Sequence, residues 1–170
     1  MVLTATGGNA AAAAPASKPA RLLGLTHVLA QRIYGRYGGF ACQPLPSGGV
    51  PALGVYCDLA ERGAPHYTGA IGVVPYAASE FGALVSGQQS SLKLTVLRGL
   101  GRGALFGHDT VPANDVLIFR RGSIAVLLYS YDSTGEPANV YPTKRMYLLV
   151  AHAVYAHLRS RAAQRHLLGV

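Results

Sequence analysis

Cys42 and Cys57 are the chain's two thiols, and a thiolate beside an imidazole and a carboxylate can act as a nucleophile. His66 or His108, with Asp58 or Asp109, would complete such a trio, but nothing in their spacing selects one combination over chance. There is no Cys-x-x-Cys pair and no histidine at ligand spacing from either thiol, so no metal site is expected. His152 and His157 stand one residue beyond the i, i+4 spacing of a helical pair and are expected to diverge on a helix surface. With 7 Asp and Glu in the whole chain, mostly in turn segments, a paired acid–base site is disfavoured too. Both cysteines lie beside hydrophobic residues and no signal peptide is evident, so they are expected as free, core-packed thiols in a reducing compartment. The expectation is a non-catalytic protein without a cofactor.

Charge says more than nucleophiles do. Lys and Arg number 15 against those 7 acids, a formal charge of +8, which favours an anionic partner: nucleic acid, an acidic protein face or a phosphoinositide headgroup. Seven of the arginines fall in three places: Arg98 and Arg102, then Arg120 and Arg121, then Arg159, Arg161 and Arg165. The last group also suits the negative end of a helix dipole, which accounts for it without any ligand. Gly99-x-Gly101-x-Gly103 has the look of a phosphate loop but lacks the Lys-Ser/Thr and the strand-to-helix context, so a flexible basic turn is the better reading.

Tyrosines offer a different chemistry. Tyr34 and Tyr37 close the first helical segment, and Tyr147 and Tyr155 lie on the last, with His152 between them. If the terminal helices lie side by side, these rings could frame a shallow groove for a polyproline ligand. The alternative is that they pack the helices together and keep their hydroxyls in water.

The elements that must position these residues follow from periodicity. Met1 to Ala20 is Ala-rich without a packing pattern and is expected as a mobile tail, leaving 21–170 as a single domain. No acid precedes Asp58 while Lys18, Arg21, Arg32 and Arg36 are present, so the N-terminus also resembles an organellar transit peptide. A cytoplasmic location is expected, with organellar import as its rival. No apolar run approaches the ~20 residues needed to span a bilayer. Leu22, Leu25, Leu29 and Ile33 make one stripe, predicting a helix over Arg21 to Tyr37 that stops at Gly38-Gly39. Phe40 to Pro51 reads as a Pro/Gly/Ser loop. Strands are predicted at Leu53 to Leu59, Ala70 to Tyr76, Leu92 to Val96 and Ala104 to Phe106, with one or two helical turns capped by Ser79 between the second and third.

Val116 to Phe119 and Ile124 to Tyr131, joined through Arg120-Arg121-Gly122, read as a hairpin. A long helix beginning near Thr143 then packs back over the sheet, because neither element buries its apolar face alone. The predicted architecture is α+β: an antiparallel meander of about six strands with N- and C-terminal helices packed on it.

That hairpin, the Gly/Pro loop after it and the closing helix with Val150, Val154 and Leu158 resemble the C-terminal half of profilins, and the element order is similar. The resemblance implies a small non-enzymatic binder of actin, with a polyproline groove between the terminal helices and a basic face for phosphoinositides. The chain departs from profilins in having no tryptophan and in its 20-residue leader. The layout is also similar to the roadblock family, which implies a homodimeric scaffold. The expected function is therefore a protein-interaction module. Its rival is a basic RNA- or ribosome-associated protein using the seven arginines named above.

Overall fold

The computed structural model describes residues 23–44, 53, 55–61, 69–108, 115–131 and 140–168. The expected tail at 1–20 and the candidate partners His66 and Asp109 lie outside these residues. In chain order the elements are α1 (His27–Tyr34), β1 (Gly38–Pro44), β2 (Val55–Glu61), β3 (Ala70–Ala77), α2 (Phe81–Gln89), β4 (Lys93–Val96) and β5 (Leu105–His108). They continue with β6 (Val116–Arg121), β7 (Ile124–Tyr131), α3 (Lys144–His157) and α4 (Arg161–Leu168). The strands form one antiparallel sheet in the order β1-β2-β3-β7-β6-β5-β4. The α+β class and the packing of the terminal helices on the sheet are as expected from the sequence. The strand count is seven rather than about six.

The additional strand is β1, in a segment whose composition reads as loop. Its order comes from pairing: Phe40 lies opposite Leu59 and Cys42 opposite Cys57 on β2. Gly38 opens it at a point where a β-carbon would stand 2.1 Å from the carbonyl oxygen of Ala30, so α1 and β1 meet as closely as glycine alone permits. The same register overturns the expectation of free thiols, because Cys42 and Cys57 are joined in a disulfide. Spacing along the chain could not reveal this while β1 was unseen. The inference to a reducing compartment loses its basis, and a thiolate nucleophile is removed with it.

Helix boundaries follow local chemistry. Thr26 caps α1, its Oγ1 accepting from the Leu29 amide at 3.1 Å, which starts the helix later than the stripe suggested. Ala78–Glu80 forms a short 3₁₀ turn ahead of α2, which begins at Phe81, so Ser79 is not its cap. Thr143 stands at the N-cap of α3 in extended conformation, as expected. The closing helix is not continuous, however. The helix ends after His157, and Ser160 Oγ accepts from the Ala163 amide as α4 sets off.

The sheet is covered on both faces. Leu117, Phe119, Val126 and Leu128 pack under α1, α3 and α4 in the main core. Val116, Ile118, Ala125 and Leu127 form a second, smaller core with Phe81, Leu84 and Val85 of α2. Burial on both sides is why β6 and β7 read as unbroken apolar runs instead of alternating ones. At ~25 cal/mol per Å² of apolar surface, each fully buried Leu, Ile or Phe contributes roughly 1.5–3 kcal/mol.

Candidate anion-binding site

Of the seven arginines singled out in three segments, the structure brings Arg102, Arg120 and Arg121 to one pocket. The β6–β7 hairpin pairs Arg121 with Ile124, so the strand runs through both arginines and turns at Gly122-Ser123, with Gly122 at φ +58°. This corrects the expected turn, which included the arginines. On α4, Gln164 accepts from the Ser123 amide at 2.9 Å and donates to the Leu158 carbonyl at 2.7 Å, holding α4 against that turn. The Arg98–Gly103 loop between β4 and β5 lies against the outer part of α3. A β-carbon on Gly99 would meet His152, and one on Gly101 would stand 2.9 Å from the Tyr155 hydroxyl. Gly99, Gly101 and Gly103 all have positive φ, so the motif is the turn expected of it.

Arg102, Arg120 and Arg121 line a polar pocket of about 430 Å³ with Gly101, Gly122 and Tyr155. Two of the three guanidinium groups are held on aromatic faces. Arg121 lies 4.4 Å from the Tyr155 ring centre and donates to its hydroxyl, and Arg120 lies 5.4 Å from the Phe81 ring centre. Such stacking orients a guanidinium without cancelling its charge. Among the described residues, no carboxylate forms an ion pair with Arg98, Arg102, Arg120, Arg121, Arg159, Arg161 or Arg165. Arg98, Arg159, Arg161 and Arg165 are exposed and do not line the pocket.

The tyrosines are distributed differently from the groove imagined for them. Tyr34 is buried and its hydroxyl donates to the Gly69 carbonyl at 3.0 Å. Tyr147 has no exposed surface. It donates to the Asp115 carbonyl at 2.9 Å and meets Phe106 edge-on. Burial pushes its phenol well above the usual range; a hydrogen bond with Ser130 opposes this in part and the nearby Asp115 carboxylate adds to it. Tyr37 carries Arg36 on its face, Tyr155 carries Arg121, and His152 is exposed beside Gly99. Tyr34 and Tyr147 thus serve the core, and the five residues do not share a surface.

One pair escaped the sequence reading. His108 Nδ1 stands 2.7 Å from Asp115 Oδ1. The signal was available in the hairpin between β5 and β6. Its register sets Gly107 opposite Val116, which brings the next residues outward, His108 and Asp115, together.

Among the described residues, no group of His, Cys, Asp and Glu could hold a metal ion, and no helix is long and apolar enough to cross a membrane. Comparison with protein-family models, with curated proteins and with solved structures finds no match to this chain.

Proposed function

We propose that the protein is a non-catalytic binding module that recognises phosphate groups, as carried by phosphoinositide headgroups at a membrane surface, through Arg102, Arg120 and Arg121. The observation that carries this reading is that three arginines line one pocket at the end of the sheet, Arg120 resting on Phe81 and Arg121 on Tyr155 on its two faces, with no acidic partner among the described residues. A guanidinium presents a planar fork of donors that matches phosphate oxygens, and bonds of this charge-assisted kind are about twice as strong as neutral ones. Stacking on Tyr155 and Phe81 restricts two of the side chains before any ligand arrives, which lowers the entropy lost on binding. The exposed Arg98, Arg159, Arg161 and Arg165 would add long-range attraction to an anionic surface.

RNA is the rival partner. The aromatic rings nearest the pocket already carry arginines, which leaves them poorly placed as stacking platforms for single-stranded bases. Co-sedimentation of the full chain with phosphatidylcholine vesicles, with and without phosphatidylinositol bisphosphate, tests the reading. Binding only to the phosphoinositide vesicles, weakened about tenfold or more in the R102A/R120A/R121A variant, is the expected outcome. Equal binding by the variant, or binding to RNA with no preference for these vesicles, would overturn it.

A further inference from the structure

A second pocket, of about 660 Å³, lies at the other end of β6 and α3. Phe106, Tyr141 and Pro142 supply its apolar surface, and His108, Asp115 and Lys144 bring the charge. Its volume falls in the range of small-molecule sites, which combine apolar walls with a few convergent polar groups.

The polar groups here are set in a definite order. Asp115 is the anchor: its side chain is only 6% exposed, and its backbone carbonyl accepts both the Tyr147 hydroxyl and the Ser130 amide. The carboxylate accepts from His108 Nδ1 at 2.7 Å. His108 is 67% exposed, so the buried acid fixes one nitrogen while the imidazole reaches out toward solvent. The pairing leaves Nε2 as the nitrogen available to a ligand, and an imidazole held in this way donates from Nε2 when it carries both protons. Lys144 sits across the pocket's aromatic wall, its Nζ 5.0 Å from the Phe106 ring centre. The one carboxylate in the lining is buried and engaged, so a cationic ligand would find no free partner there. An anion would find Lys144 Nζ, with His108 Nε2 beside it as a second donor when the imidazole carries both protons.

We propose that this pocket binds a small organic acid, with the apolar body against Phe106 and Pro142 and the carboxylate between Lys144 Nζ and His108 Nε2. The site shares no lining residue with the arginine pocket and does not depend on it. A medium-chain fatty acid has the required form, since its methylene chain suits the walls and its head fits between Lys144 Nζ and His108 Nε2.

Calorimetric titration of the full chain with sodium octanoate, and separately with octylamine, tests the assignment. Octanoate is expected to bind and octylamine is not. Lys144 and His108 are exposed, so K144M and H108N should fold as the parent does, checked by circular dichroism, and each should weaken octanoate binding about tenfold. The R102A/R120A/R121A variant should bind octanoate as the parent does, which separates this site from the phosphate site. Octanoate failing to bind, octylamine binding equally well, or both K144M and H108N retaining parental affinity would each overturn the proposal.

Discussion

Arg121 lies over the ring of Tyr155 and donates to the same residue's hydroxyl, so the end of β6 is fastened to α3 at the floor of the arginine pocket. A single pair thereby contributes both to the packing of sheet on helix and to the placing of one positive charge. The two roles separate by substitution. Tyr155→Phe keeps the ring beneath the guanidinium and removes one hydrogen bond, at a cost of about 0.5–1.5 kcal/mol. Arg121→Ala removes the charge as well, so it should weaken phosphoinositide-vesicle binding clearly more than Tyr155→Phe does. Urea denaturation and vesicle co-sedimentation on the same two variants measure both effects.

Gly101→Ala should destabilise the fold by about 1–3 kcal/mol, the range for a residue forced into sparsely populated backbone geometry. Its φ of +82° disfavours any side chain, and the new methyl would press on the Tyr155 hydroxyl at 2.9 Å. Thermal denaturation gives the loss. Because the loop carries Arg102, vesicle binding should fall with it.

Replacing both cysteines by alanine opens the loop between β1 and β2. Cys42 and Cys57 are 15 residues apart, and for a loop of this size the chain-entropy model gives about 3 kcal/mol of stabilisation. The double variant should unfold at correspondingly lower urea, and the parent treated with dithiothreitol should move toward it.

Tyr147 makes stability fall at alkaline pH. Its phenol is raised above the ordinary value of 10.0, chiefly by burial, so the folded chain keeps a proton that the unfolded chain releases. The contribution is intact below the unfolded phenol's pKa and is lost progressively as pH rises above it. Tyr76 and Tyr129 are raised in the same direction by burial and add to the slope. Tyr147→Phe should flatten the fall in urea midpoint on going from about pH 9 to pH 11, while lowering stability at neutral pH through the lost bond to the Asp115 carbonyl.

What the sequence disclosed depended on whether the signal was local. The β6–β7 hairpin and the start of α3 were legible because doubly buried strands leave unbroken apolar runs and Thr143 precedes a helical pattern. β1 was hidden because Gly38, Gly39 and Pro44 argue locally against a strand, and only the partner β2 makes one of them. With β1 unseen, nothing could set Cys42 against Cys57. The arginines were legible as types but not as a cluster. The β5–β6 and β6–β7 pairings and the left-handed glycines of the β4–β5 loop bring Arg102 to Arg120 and Arg121. For Tyr34 and Tyr147, residue type did not distinguish a groove from a core. The carbonyls of Gly69 and Asp115 that receive their hydroxyls belong to distant segments.

The pairing of β3 with β7 has a consequence for biosynthesis. Ala70–Ala77 finds its inner neighbour only in Ile124–Tyr131, so the early hairpin of β2 and β3 leaves the ribosome with one flank lacking its native mate. About fifty more residues must be translated before that flank is closed, at roughly 5–20 residues per second, or several seconds of exposure. During that interval the half-made chain offers an open strand to any other nascent copy, which makes β3 the segment through which a truncated or stalled product would aggregate.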